Sequence, residues 1–241
     1  MTVQTENLVL IEADGPAATL WLNRAERGNA LGAALVEALD AAIDTALAAG
    51  ARMLILRGKG RHFCTGLDLG DLEACTDGDL ALRILRIEIL LQKIHALPVT
   101  TVAIAQGRVF GAGADLFAAC DHRLAMPGAS FAFPGPAFGL ILGTARLAGL
   151  VGGDAARRLL LAGEAVDAAA ALALGLATGM SEDIAAATAA ATRLDAETVA
   201  ALHARTRQAD DNGDLAALAR SVARPGLKQR IQDYRARMMK A

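Results

Sequence analysis

The spacing of apolar residues changes along the chain, and each spacing is typical of a different element. Apolar and polar residues alternate over 8–12 and 17–23, with Asp14-Gly15-Pro16 between them, so these segments predict a β-hairpin. From Leu35 to Leu47 a large aliphatic residue recurs every four positions, with acidic residues in between. This period predicts an amphipathic helix that ends at Gly50.

Beyond this helix, apolar runs without alternation predict buried strands. The runs are 53–57, 100–105 and 122–125. Aliphatic residues at helical spacing over 80–94 predict a long helix, which must end before Pro98. A shorter apolar segment, 112–120, predicts a second helix. Because strands and helices alternate, we expect an α/β core.

From about residue 182 the pattern changes to alanine, leucine and arginine at helical spacing, and strand-like runs disappear. We predict three or four helices here, interrupted at 212–214 and 224–226, where glycine, asparagine or proline occurs. The chain is therefore divided into an α/β core, 1–181, and a helical region, 182–241.

The amino-acid composition argues against nucleic acid and membrane surfaces as binding partners. The 241 residues are 54% hydrophobic and 21% charged, which suits one domain with a large core and a small appendage. The net charge is −2, and charged residues form no long run. We therefore expect no nucleic-acid or membrane-surface partner. Aromatic residues make up only 3% of the chain, which argues against base stacking.

The lack of recognisable targeting signals and the spacing of the cysteines predict a cytoplasmic protein. No apolar run reaches the roughly 18 residues that cross a bilayer, and the first residues lack the basic and apolar segments of a secretory signal. Cys64, Cys75 and Cys120 are odd in number and widely spaced. They predict buried or free thiols in a reducing compartment, and no metal site.

Two glycine-rich turns carry the candidate chemistry. Residues 107–121 read GRVFGAGADLFAACD and follow an apolar strand, and residues 58–72 read GKGRHFCTGLDLGDL and follow another. A strand that opens a helix through small residues leaves backbone N–H groups free at a positive helix terminus. Two such turns can direct two N–H donors at one oxyanion. Asp115 lies three residues beyond Ala112, on the same helix face. The competing interpretation is a turn that serves only close packing.

Four segments in order resemble the enoyl-CoA hydratase/isomerase, or crotonase, superfamily. They are LNRAERGNAL at 22–31, FCTGLDL at 63–69, the segment 107–121, and RRLLLAGEAVDAAAALALGLA beginning at Arg157. The resemblance implies a crotonase-like (ClpP/crotonase) spiral of ββα units with a C-terminal helical region that mediates trimers or hexamers. It implies acyl-CoA or enoyl-CoA thioesters as substrates and no permanently bound cofactor.

The resemblance also assigns site residues. The two oxyanion donors fall on the backbone N–H groups of Leu67 and Ala112, and a catalytic acid falls on Asp115, where hydratases of the family have a longer glutamate. A second family glutamate, after a proline, is replaced by Gly135. The CoA contacts fall on a set in two loops: Ala25, Arg27, Asp68, Leu69 and Gly70.

The missing acid changes the expected reaction. Hydration needs one group to activate water and another to deliver a proton, so a site with Asp115 alone predicts a poor hydratase. His62 or Asp71 could stand in for the second acid. We therefore expect an acyl-CoA enzyme that stabilises a thioester enolate, with hydratase or isomerase activity as the default. Decarboxylation, thioester hydrolysis and silent acyl-CoA binding are the alternatives.

Overall fold

The computed structural model describes residues 7–207 and 210–238. The strands are β1 (Val9–Asp14), β2 (Ala17–Leu22), β3 (Met53–Gly58), β4 (Thr100–Ala105), β5 (Arg108–Phe110), β6 (His122–Ala125), β7 (Ser130–Ala132) and β8 (Val166–Asp167). The helices are α1 (Ala33–Ala48), α2 (Asp77–His95), α3 (Ala112–Ala118), α4 (Thr144–Val151), α5 (Gly153–Ala162), α6 (Ala168–Ala173), α7 (Ala185–Arg193), α8 (Ala196–Thr206), α9 (Asp211–Val222) and α10 (Leu227–Met238). Two 3-10 turns, Ala25–Arg27 and Gly135–Phe138, flank the candidate site.

The larger sheet has the order β1-β2-β3-β4-β6. β1 and β2 form the predicted antiparallel hairpin, and the remaining neighbours pair in parallel. β3 and β4 are buried along nearly their whole length, which explains their uninterrupted apolar sequences. Helices α1 and α2 cover one face of the sheet, and α7 packs on the other. The expected α/β class is confirmed, and so are the helices at 35–47 and 80–94.

The structure also contains a second sheet, β5-β7-β8, which was not predicted from the sequence. β5 and β7 have three residues each and β8 has two, so none is long enough to show an alternating pattern. Their pairing joins segments far apart in the chain. Ser130 lies opposite both Arg108 and Asp167. This small sheet matters for the site because β5 leads directly into the turn at Gly111.

The start of α2 is set by local chemistry. The Thr76 hydroxyl accepts the Asp79 N–H at 3.1 Å, and the Asp79 carboxylate accepts the Thr76 N–H at 2.9 Å. This capping box satisfies free donors at the helix start. The helix ends at His95, ahead of Pro98, as its sequence predicts.

The C-terminal helices pack on two parts of the core. Ala187 and Ala191 of α7 contact the sheet, whereas Leu218 of α9 and Ile231 of α10 contact α2. Four helices within the described residues of this region agree with the expected three or four, and the interruption at 224–226 separates α9 from α10. The boundary at residue 181 stays a prediction.

The interruption predicted at 212–214 is wrong. These residues form the first turn of α9, where the Asp210 carboxylate accepts the Gly213 N–H at 2.9 Å. Asparagine, glycine and aspartate are tolerated at this position because the first turn of a helix has free N–H groups that such a cap satisfies. In the described part of the chain, no helix combines the length and apolar character needed to cross a bilayer.

Candidate functional site

A largely apolar cavity lies between α2, the start of α3, the turn Gly135–Phe138 and α10. It opens beside the loop that follows β3. Its lining residues are Thr65, Gly66, Leu67, Leu69, Ile84, Ile87, Phe110, Gly111, Ala112, Asp115, Phe133, Pro134, Gly135, Pro136, Phe138, Leu140, Leu142, Leu160 and Tyr234. Among these side chains Asp115 alone is a carboxylic acid, so the cavity suits an apolar group that reacts beside one acid.

Two glycine-rich turns meet in the cavity wall. A Cβ atom on Gly66, whose φ is +97°, would lie 2.6 Å from the Phe110 carbonyl oxygen and 3.5 Å from the Ala112 nitrogen. Glycine is therefore required for the two turns to come this close. On α3, a Cβ atom on Gly113 would collide with the Cys64 carbonyl. The turns thus serve close packing, and they also bring the backbone of Leu67 beside that of Ala112.

The N–H groups of Leu67 and Ala112 have no hydrogen-bond acceptor within the described residues, although their neighbours do. The Asp68 N–H donates to Leu31 at 3.1 Å, and the Gly111 N–H donates to Ala132 at 2.8 Å. Ala112 is the first residue of α3, where an N–H has no partner inside the helix. These two free N–H groups on the cavity wall can donate hydrogen bonds to one oxyanion.

Asp115 lies one turn into α3 and is only 4% exposed. Its carboxyl packs against Gly143, where a Cβ atom would lie 2.9 Å from the carboxyl carbon. Burial raises the pKa of Asp115 to about 8, with a further rise from Glu88 and an opposing effect of Arg146. The carboxyl group therefore carries a proton at neutral pH and can donate it.

This raised pKa makes folding stability depend on pH. The folded pKa of about 8 exceeds the unfolded value of about 3.9. The stability contribution of Asp115 is therefore complete below the unfolded pKa and is lost as pH rises toward the folded pKa. From about pH 5 to about pH 7 we expect the wild type to lose roughly 2–3 kcal/mol of unfolding free energy relative to Asp115→Asn. Urea unfolding of both proteins at each pH measures this, and parallel pH curves would contradict it.

The buried ion pair between Arg146 and Glu88 acts electrostatically on Asp115. The Arg146 guanidinium donates to both Glu88 oxygens, at 2.9 and 2.5 Å, and each side chain is at most 2% exposed. Gln92 donates to the same Glu88 carboxylate at 2.8 Å. This ion pair was not predicted from the sequence. A detectable signal was Glu88, a charged residue on the apolar face between Ile84 and Leu91.

Of the residues expected to contact CoA, Leu69 alone lies on the cavity lining. Ala25 and Arg27 belong to a 3-10 turn, where Ala25 packs against Gly60 and the Arg27 guanidinium approaches Gly70. Arg27 has no ion-pair partner among the described residues, so it can receive a phosphate. The assignment of these residues to CoA stays a prediction.

Asp68 has a structural role in the same loop. Its carboxylate pairs with Arg24 and accepts the Gly70 N–H at 2.9 Å. It faces a different cleft, next to the start of α1. These bonds hold the loop that carries Leu67, so Asp68 shapes the donor turn even without touching a ligand.

His62 and Asp71, weighed as substitutes for the second acid, lie outside the cavity lining. The Asp71 carboxylate accepts two hydrogen bonds from Arg83, each 2.8 Å long, and this arginine lowers the pKa of Asp71 to about 2. His62 accepts the Arg108 N–H through Nδ1 at 3.1 Å. Both residues are therefore engaged elsewhere.

The cysteines do not supply a nucleophile. Cys64, Cys75 and Cys120 are free and buried. Burial raises the pKa of the Cys64 thiol to about 12 and raises that of Cys120 as well. Both thiols keep their protons at neutral pH, and a thiol is a far weaker nucleophile than a thiolate.

Gly135 occupies the cavity wall at the start of the turn Gly135–Phe138. The nearest atoms to a Cβ at this position, on Leu140, would be 3.7 and 3.8 Å away, an ordinary contact distance. The position therefore has room for a Cβ atom, and its lack of a carboxylate leaves Asp115 without a second acid on the lining.

Comparison with known proteins agrees with the sequence resemblance. A family model for enoyl-CoA hydratase/isomerase matches residues 13–221. The crystal structure of a Bordetella parapertussis protein named a putative enoyl-CoA hydratase/isomerase superposes with a TM-score of 0.93 at 46% identity, covering 96% of this chain and 99% of that one.

Two curated relatives match over shorter stretches. The Mycobacterium bovis protein named probable enoyl-CoA hydratase echA6 is 40% identical over 163 residues, 66% of this chain and 65% of its own length. Ethylmalonyl-CoA decarboxylase of Gallus gallus is 36% identical over 130 residues, 52% of this chain and 44% of its own length.

Proposed function

This chain belongs to the enoyl-CoA hydratase/isomerase family, and we propose that it is an acyl-CoA enzyme that works through a thioester enolate with one acid. The observation that carries this proposal is the meeting of two free backbone N–H groups, on Leu67 and Ala112, with the carboxyl of Asp115 in one apolar cavity. The thioester oxygen would accept both N–H groups, and one such donor is typically worth about 3–4 kcal/mol in the transition state.

The protonation state of Asp115 favours reactions that need one proton carrier. With a pKa of about 8, a fraction of Asp115 is ionised at neutral pH; this carboxylate removes a proton from the α-carbon to form the enolate, and the resulting acid then returns the proton to another carbon. Isomerisation of an enoyl thioester moves one proton between two carbons, which a single carboxyl group can do. Hydration additionally needs a base for water, and the lining residues supply no second carboxylate.

A second candidate is decarboxylation of a malonyl-type thioester. In this reaction the bond between the α-carbon and the carboxylate breaks, carbon dioxide leaves, and the electron pair forms the enolate. Asp115 then donates its proton to the α-carbon and is reprotonated from solvent. The apolar lining favours it, because a carboxylate loses hydration there and neutral carbon dioxide does not. The name of the Gallus gallus relative agrees with this chemistry.

The experiment is a binding and turnover panel. Acetoacetyl-CoA is titrated by calorimetry, and crotonyl-CoA, a 3-enoyl-CoA and ethylmalonyl-CoA are assayed for turnover. Binding with isomerisation or decarboxylation supports the one-acid enzyme. Binding without any turnover would identify a silent acyl-CoA carrier, and no binding at millimolar ligand would refute the proposed function altogether.

Gly135→Glu tests whether the missing acid limits hydration. Because a Cβ atom fits at this position and the position lines the cavity, the variant is expected to raise crotonyl-CoA hydration by about 10²-fold or more over wild type, the usual worth of one acid–base group. Gly135→Gln is the matched control, with the same size and no acid. The expectation fails if the wild type already hydrates crotonyl-CoA efficiently, or if both variants behave alike.

We also propose a homotrimer or hexamer, the assembly that the family resemblance implies. The helices of 182–241 carry exposed apolar side chains that a partner subunit would cover, including Leu202 on α8 and Met238 on α10.

A further inference from the structure

The outer side of the turn Gly135–Phe138 carries a cluster of arginines. α9, α10 and the segment between them contribute Arg220, Arg224, Arg230 and Arg237, called here the arginine pocket. Two adjoining clefts make up this pocket, and both are lined by Pro136, Gly139 and Arg224. The pocket is separated from the apolar cavity by the turn itself.

The charge of this pocket is not balanced by protein groups. Its lining has four arginines and one carboxylate, Asp233. That carboxylate accepts a hydrogen bond from Gln229 at 2.8 Å, and none of the four arginines forms an ion pair within residues 7–207 and 210–238. The charge of Asp77 also affects the pKa of Arg230, but its carboxylate already accepts hydrogen bonds from backbone N–H groups at the start of α10. Like charges held together repel, so an anion would stabilise the pocket.

Arg230 is held rigidly in this arrangement. Its guanidinium donates to the carbonyls of Phe138 at 2.8 Å, Arg224 at 3.0 Å and Ser221 at 3.2 Å. Its Nε is buried without an acceptor in the described structure. Burial, with the charge of Arg224 beside it, lowers the pKa of Arg230. Arg230 therefore supplies a fixed positive charge at the base of the pocket.

Gly139 leaves the space in which the guanidiniums converge. Its φ is +83°, and a Cβ atom on it would lie 3.0 Å from Nη1 of Arg224 and would collide with the Arg230 guanidinium. The side chains of Arg220 and Arg224 donate no hydrogen bond within the described residues, and Arg237 makes one long bond of 3.4 Å to Ala137. N–H donors of Arg224 thus remain available beside the Arg230 guanidinium, with Arg220 in one of the two adjoining clefts and Arg237 in the other.

We propose that the arginine pocket binds an anion of the phosphate class, either inorganic phosphate or an organic phosphomonoester. Planar guanidinium groups bind phosphate oxygens in pairs, and several of them around one cleft match the charge and shape of this ion. Arg224, which lines both clefts, contacts the anion, Arg220 or Arg237 adds a second contact according to the cleft that the anion occupies, and Arg230 provides the fixed positive charge. Because Arg230 and Arg237 also bond to the turn Gly135–Phe138, bound phosphate stabilises that wall of the apolar cavity. This site is independent of the proposed function.

Calorimetric titration with inorganic phosphate, adenosine monophosphate and chloride at low ionic strength tests the proposal. We expect phosphate to bind, and Arg224→Gln to weaken it about tenfold, the worth of a hydrogen bond to a charged group. Arg158→Gln, a change of an exposed arginine on α5, is the matched control and leaves binding unchanged. Equal affinity for phosphate and adenosine monophosphate identifies any phosphate group as ligand, and tighter binding of one identifies its source.

Three results would overturn the proposal: no phosphate binding at millimolar concentration, equal binding of chloride, or equal binding by wild type and Arg224→Gln. A further variant, Arg27→Gln, separates this site from the expected CoA contacts. If Arg27→Gln abolishes phosphate binding while Arg224→Gln keeps it, the ion occupies the CoA side of the cavity and the arginine pocket is not the site. Since the Arg224 side chain makes no internal hydrogen bond, its loss leaves the fold intact.

Discussion

Asp115→Asn is expected to lower turnover of CoA thioesters by about 10²–10⁴-fold while leaving thioester binding nearly unchanged. Asparagine keeps the size of the side chain but cannot carry the proton that burial retains on Asp115 at neutral pH. The free N–H groups of Leu67 and Ala112 are unaffected, so the thioester oxygen is still bound. Single-turnover kinetics together with calorimetry separate the two effects.

The matched control is Asp71→Asn. This acid lies near the same loop, but its carboxylate pairs with Arg83 outside the cavity lining, so turnover should stay close to wild type. Full activity of Asp115→Asn would contradict the role assigned to Asp115. A loss of activity matched by an equal loss of thioester binding would show that the residue shapes the cavity and does not transfer the proton.

Arg146→Met is expected to lower the unfolding free energy by about 3–5 kcal/mol, because it leaves the Glu88 carboxylate buried without its partner. Both side chains are at most 2% exposed, so water cannot replace the lost hydrogen bonds. Chemical denaturation measures the change. The variant should also raise the pKa of Asp115, since Arg146 acts to lower it.

The double variant Glu88→Leu, Arg146→Met provides the control. Replacing a buried ion pair by apolar side chains of similar volume is often neutral, so most of the lost stability should return. If Arg146→Met alone costs less than about 1 kcal/mol, the pair behaves like one exposed to solvent and its structural importance is refuted.

The elements with long regular patterns were predictable. The four-residue spacing of α1 and the continuous apolar runs of β3 and β4 follow from local periodicity and burial. The meeting of the Leu67 and Ala112 turns was also anticipated, since small residues after each strand allow close approach. The strands β5, β7 and β8 were missed because two or three residues contain no period. The false interruption at 212–214 came from residues that serve equally well in a break and in a helix cap.

The sequence by itself determined the α/β class, a C-terminal region of three or four helices and the two glycine-rich turns, and its resemblance to the family identified Gly135 in place of an acid. These features depend on residues that are neighbours in the chain. Only the tertiary structure decided the environment of Asp115, because its pKa depends on burial and on Glu88 and Arg146, which come from other helices. The same holds for the arginine pocket, whose charges converge only when α9 and α10 close on the turn Gly135–Phe138. Local spacing encodes elements, whereas burial and charge at a site arise from segments that folding brings together.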